Sequence, residues 1–145
     1  MPHEDVLPAL EEELAAFWRR SRAAGREAAR ELHPELDPAV FPLISVLGRR
    51  GPLRMSELGA RLILDKSTVS RQVDTAERLG LVRRSVDPSD ARARLVELTE
   101  TGRERLDAVQ ARRRAAWNRA LSQWSREDVV TLTRLLAKLG ESGIA

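Results

Sequence analysis

Asp87 and Asp90 lie three residues apart within RRSVDPSDARARLVELT, residues 83–99, with arginines at both ends. Two carboxylates so close could divide general acid and general base work between them. That chemistry needs a cleft and environments that push the two pKa values apart. A DPSD sequence supplies neither, because proline at the second position marks a solvated turn between strands. In such a turn Asp87 organises the backbone, while Asp90 neutralises and orients Arg92. No accompanying site is visible, so catalysis is not expected. The cations read differently. Arg92 and Arg94 would stand on a stiff two-stranded arm, ready for an anionic partner.

Other reactive chemistry is sparse. The chain has no cysteine, which removes disulfides, thiolate metal sites and thiol redox sensing. His3 and His33 have no companion at metal-ligand spacing, so no metal and no cofactor are expected. His33 sits at a helix end, where a capping role is the simpler reading. The acidic first residues lack an apolar h-region, and no apolar run is long enough to span a bilayer. A cytoplasmic protein is expected.

The 145 residues suffice for one domain or two joined lobes, and net charge is only +3. Its distribution says more. Residues 1–40 carry five Arg against nine Asp/Glu, residues 41–94 eleven Lys/Arg against six, and residues 95–145 nine against seven. The middle therefore holds more than the whole positive excess. That pattern fits a nucleic-acid footprint, and it also fits an arginine-rich solvated surface.

The elements that would position these residues are mostly helical. Residues 4–32 place Leu7, Leu10, Leu14, Phe17, Ser21, Ala24 and Ala28 at three–four steps, the seam of a coiled coil. HPELDP ends that helix with two prolines, and Asp37-Pro38 opens the next. Gly51-Pro52 breaks the chain. Ser56 is expected to cap a short helix, and Asp65 another that runs to about Leu79, closed by Gly80. Strands are expected from Leu81 to Val86 and from Arg94 to Leu98. Thr99 caps a helix to about Trp124. Ser125, with Asp128 three residues on, opens the last. The order predicts a mainly α protein with a small β-hairpin: a winged helix-turn-helix over residues 37–98, flanked by long helices over 1–36 and 99–145.

DKSTVSRQVDTAERLG, residues 65–80, is the helix that would enter a groove. Val69, Val73 and Ala76 share one face. Ser67, Arg71 and Arg78 fall opposite, flanked by Ser70, Asp74 and Thr75. Short hydroxyls allow close approach to a major groove, and an arginine can bridge guanine O6 and N7. Lys66 is placed for a phosphate. A merely solvated polar face is the competing reading.

The segment MSELGARLILDKSTVSRQVDTAERLGLVRRSVDPSDARARLVELTETGRERL resembles the core of the multiple-antibiotic-resistance regulator (MarR) family. DKSTVSR, LGLVRR, DPSDAR and LTETG carry the likeness, over about residues 40–110. The resemblance implies a homodimer whose terminal helices interlock and dimerise. Each subunit would present one winged helix to a pseudo-palindromic operator in double-stranded DNA. Ser67, Thr68, Ser70 and Arg71 would face bases, and Arg92 or Arg94 the minor groove or a phosphate. It also implies a transcription regulator, more often repressor than activator, relieved by a small aromatic or anionic effector. Candidates for that pocket are Trp18, Arg22, His33, Phe41 and Trp117, although aromatics at helical spacing more often fill cores or interfaces. ARRRAAW, residues 111–117, spreads three arginines over some 200° of helix and reads as solvated surface. The alternative is a ligand-binding or protein-interaction dimer of the same fold without specific DNA recognition.

Overall fold

A computed structural model describes residues 2–143. The element order is α1 (Leu7–Leu32), a 3-10 turn (Pro38–Val40), α2 (Phe41–Arg50), β1 (Leu53–Arg54), α3 (Met55–Leu62), α4 (Lys66–Arg78), β2 (Val82–Asp87), β3 (Asp90–Leu98), α5 (Glu100–Ala120) and α6 (Arg126–Glu141). The mainly α winged helix-turn-helix architecture is as expected. The chain divides into two compact units, Met1–Val109 and Gln110–Ala145.

The first unit holds the core. Leu32, Leu43, Ile44, Leu47, Leu58, Val69, Val73, Leu81, Val82, Val96 and Leu106 are fully buried in it. Val69 and Val73 fasten α4 to this core from its inner face. Each such side chain contributes about 1.5–3 kcal/mol through removal from water. Exposed ion pairs give only about 0–1 kcal/mol, so the inner face holds the helix and the outer face is free to specialise.

The cap residues explain where the helices begin and end. The Asp37 carboxylate accepts the Ala39 N–H at 2.9 Å, that of Asp65 the Thr68 N–H at 2.7 Å, and the Ser125 hydroxyl the Asp128 N–H at 3.0 Å. At the end of α4, Gly80 takes φ +76°, which a side chain would resist. Its N–H donates to Glu77 O and the Leu81 N–H to Ala76 O, satisfying two terminal carbonyls. The Thr99 hydroxyl then donates to Gly80 O at 2.6 Å and accepts the Gly102 N–H at 3.0 Å. Gly102 lies so close that a Cβ there would run into the Leu81 carbonyl. The end of α4 and the start of α5 are thereby joined through one backbone node.

Several boundaries differ from expectation, each for a physical reason. The sheet has three strands in the order β1-β3-β2, because Leu53 and Arg54 pair with Val96 and Leu95. Ser56 does not cap α3. Arg54 occupies that position in extended conformation, and the helix starts at Met55 directly out of the strand. β3 begins at Asp90 rather than Arg94, so the two-stranded arm is longer, with an irregularity at Val86/Asp87. α1 starts at Leu7 rather than residue 4, and α5 ends at Ala120 rather than near Trp124.

Apolar side chains outside the core are concentrated on the terminal helices. In α1 Leu7, Leu10, Phe17 and Trp18 are exposed, while Ala28, Ala29 and Leu32 enter the core. In the second unit Trp117, Trp124, Val130, Leu132, Leu135 and Leu136 are exposed, and α6 has no buried residue. No described helix is long and apolar enough to cross a membrane.

Candidate nucleic-acid interface

The outer face of α4 is built as its spacing requires. Lys66, Ser67, Arg71 and Arg78 are exposed, and Thr68 and Ser70 are half-buried at the flank. The Ser67 hydroxyl donates to Asp65 Oδ1 at 2.9 Å, and Arg71 Nη2 donates to Thr68 Oγ1 at 3.3 Å. Asp65 therefore organises the first turn. The Thr68 backbone N–H, foremost, holds its carboxyl below the ordinary carboxylate range, with Thr68 and Ser67 side chains and Arg71 assisting.

The other half of that face is acidic, and it is partly neutralised. Arg84, on β2, donates to Asp74 Oδ1 at 2.6 Å and to Glu77 Oε1 at 2.8 Å. One guanidinium thus binds two carboxylates of α4 and ties the helix to the wing strand. Without it Asp74 and Glu77 would leave two uncompensated negative charges beside the exposed Ser67 and Arg71.

On the wing, Arg92 extends into solvent with its side chain 96% exposed. Its backbone N–H donates to Asp90 Oδ1 at 3.0 Å, and its Nε lies 3.6 Å from the same oxygen. Asp90 thus engages Arg92 mainly through the backbone. Arg94 Nη1 reaches the Ala91 carbonyl at 3.5 Å. Arg94 also lines a cleft of about 510 Å³ with Lys66, Met55, Leu64 and Val69. The structure therefore brings Arg94 and Lys66 together on one concavity between wing and helix.

Asp87 is the buried member of the pair, with its side chain only 8% exposed. Its Oδ1 accepts the Ser89 N–H at 2.8 Å and the Ser89 hydroxyl at 2.7 Å. Its Oδ2 accepts the Nε–H of Arg54 at 2.6 Å and forms an ion pair with Arg54 Nη2 at 2.6 Å. The Ser89 hydroxyl first, then the Ser89 N–H and Arg54, hold the carboxyl below its usual range. A carboxylate kept ionised in this way cannot serve as a neutral-pH acid. Sequence reasoning found Asp87 as the turn's organiser but missed Arg54 and Arg84. Their signal would have been the third strand and a cross-element count of acid–base partners.

The expected effector residues are dispersed. Arg22 and Phe41 line a second cavity of about 380 Å³, together with Gly25, Arg26, Pro38 and Pro42. Trp18 is half exposed on α1 and is not part of that wall. His33 follows the last residue of α1, and its Nδ1 accepts the Glu35 N–H at 3.1 Å in the turn beyond the helix. Trp117 lies in the second unit. Among the described residues no group of acids and histidines is arranged to hold a metal.

Comparisons with known proteins converge. A profile of the MarR family matches residues 35–93. The HTH-type transcriptional regulator YxaD of Bacillus subtilis is 31% identical over 144 residues, covering 99% of both chains. The repressor MdtR of the same organism is 29% identical over 105 residues, 72% of this chain and 68% of its own. Among solved structures, a MarR family protein from Bacillus stearothermophilus superposes with a TM-score of 0.78 at 28% identity, over 96% of each chain. With its winged helix and matched sequence, this chain belongs to the MarR family of DNA-binding transcription regulators and is not an enzyme.

Proposed function

We propose that the chain is a homodimeric repressor that reads a pseudo-palindromic site in double-stranded DNA and is released by a small aromatic or anionic effector. The carrying observation is the division of α4. Its first half turns Lys66, Ser67 and Arg71 outward, while Arg84 pairs with both carboxylates of its second half and offsets part of their charge. In this reading Ser67, Thr68, Ser70 and Arg71 face bases and Lys66 a phosphate. Arg92, almost wholly exposed, enters the minor groove, and Arg94 contacts a phosphate from the cleft wall.

Dimerisation is supported by the exposed apolar side chains of α1 and α6. Residues 1–36 and 99–145 act as the dimerising segments and residues 37–98 as the DNA-binding domain. Two-fold symmetry would set the recognition helices about 34 Å apart. Repression is supported by the likeness to MdtR. For the effector, the cavity beside Arg22 and Phe41 combines guanidinium groups with apolar walls, which suits an aromatic anion. A cytoplasmic site of action follows from the DNA partner.

Gel-shift titrations across salt and sequence test the reading. The expected result is one inverted repeat bound in preference to unrelated DNA, with affinity falling steeply as salt rises. Equal binding to every duplex would instead favour an interaction dimer without specific recognition.

A further inference from the structure

Arg54 belongs to the basic middle of the chain and lines the cleft that also holds Lys66 and Arg94. By charge and place it looks like another phosphate contact. Its hydrogen bonds give it a different task. Nε donates to Asp87 Oδ2 at 2.6 Å and Nη2 to the Ser89 hydroxyl at 3.4 Å, while Nη2 also lies 2.6 Å from Asp87 Oδ2 as an ion pair. Arg54 sits on β1 and Asp87 at the end of β2, with β3 between them. The side chain must therefore pass over β3 to reach the turn, and Ala93, a small residue, lines the same cleft.

The arrangement has a mechanical meaning. A two-stranded ribbon is marginal by itself and can swing about its base. Arg54 immediately precedes Met55, the first residue of α3. Its grip on Asp87 therefore fastens the outer end of the ribbon to the helix-turn-helix. The guanidinium spans Asp87 Oδ2 and the Ser89 hydroxyl, and the carboxylate is buried, conditions under which an arginine–carboxylate contact is directional. The other oxygen of Asp87 serves Ser89, so both residues of the turn are engaged.

We propose that Arg54 is a positioning residue for DNA recognition, which fixes the wing tip and so delivers Arg92 to the groove without touching DNA itself. The inference rests on the DNA-reading function proposed above. A lysine cannot replace it, because an ammonium lacks the fork.

The test uses the full-length chain and a duplex that the wild-type protein enriches from a randomised pool. Arg54→Ala, Arg54→Lys and Asp87→Ala are each expected to weaken binding about tenfold, and the Arg54→Ala/Asp87→Ala double variant no further. Arg92→Ala should weaken wild type about tenfold yet change the Arg54→Ala protein by less than about twofold. Amide exchange should quicken at Ser89 and remain unchanged within α4. A phosphate contact predicts the opposite pattern. Asp87→Ala would then free a cation and tighten binding, Arg54→Lys would bind like wild type, and Arg92→Ala would act independently. Any of those three results overturns the proposal. A pool that yields no preferred duplex overturns both the proposal and the DNA reading, whereas a preferred duplex bound equally by Arg54→Ala overturns the proposal alone.

Discussion

Helices α4 and α6 begin alike and end up in opposite situations. Each is opened by a side-chain cap, Asp65 for one and Ser125 for the other, and each carries aliphatic residues at three–four spacing. In α4 that stripe disappears into the core at Val69, Val73 and Ala76. In α6 Leu132, Leu135 and Leu136 remain exposed. Amphipathic pattern therefore shows that a helix needs a partner, and only packing shows whether the partner belongs to the same lobe. The inner stripe of α4 is satisfied, and on the function proposed above its polar face meets DNA. On the same proposal the stripe of α6 meets a second subunit.

That contrast can be broken most severely at α6. Leu132→Glu with Leu136→Glu should convert the dimer to monomer in analytical ultracentrifugation, while circular dichroism shows the winged helix still folded. Loss of the second binding site should weaken operator affinity by roughly 100-fold or more. A variant that stays dimeric would move the interface elsewhere. Deleting residues 1–32 is a poorer test than point substitution, because Ala28, Ala29 and Leu32 are core residues.

A smaller effect is expected where α4 is joined to α5. Gly102→Val should cost about 2 kcal/mol in denaturant unfolding, since a side chain there collides with the Leu81 carbonyl, a backbone group. A loss below the error of the measurement would mean that this node yields. On the opposite face of the same lobe, Arg71→Ala should cost about 1–3 kcal/mol in specific binding and leave stability unchanged. Equal weakening on all DNA would make Arg71 a phosphate contact. Arg94→Ala should instead weaken binding evenly across sequences and lower the salt slope by about one.

The smallest expected effect is that of mild acid. Asp65 and Asp87 are both held below the ordinary carboxylate range. A depressed carboxyl contributes fully above its unfolded value, about 3.9, and loses that contribution as pH falls through the lower folded value. The cap of α4 and the grip on the wing should therefore be unchanged between pH 7 and 5. Amide protection at Thr68 and Ser89 should fall only below about pH 4. A loss nearer neutrality would show that neither carboxylate is held as the geometry requires.

What could be read from the amino acids alone was whatever is encoded locally. Asp65, the three–four spacing of Val69, Val73 and Ala76, and Gly80 determine α4 within one short stretch. DPSD fixes its turn in the same way. β1 was illegible because a two-residue strand has no period, and its partners Leu95 and Val96 lie some forty residues on. Missing β1 meant missing Arg54, and with it the reason Asp87 is buried. Ser56 misled for the same cause: a strand feeding directly into α3 leaves no room for a cap there. The outer part of β3 was missed because both its faces are solvated, so Arg and Ala alternate without an apolar side to mark. For the effector residues, the resemblance offered Trp18, Arg22, His33, Phe41 and Trp117 together, but only packing shows that Arg22 and Phe41 line one cavity while Trp18 is not part of its wall.

The tryptophans carry a practical consequence for anyone following this protein by optical means. Trp18, Trp117 and Trp124 are all about half exposed, and the winged-helix core contains none. Intrinsic fluorescence will therefore register events on the terminal helices and stay nearly blind to melting around α4. If the proposed dimer forms, a fluorescence transition that precedes the far-ultraviolet dichroism transition on dilution or heating would be the signature of subunits parting while the winged helix is still intact.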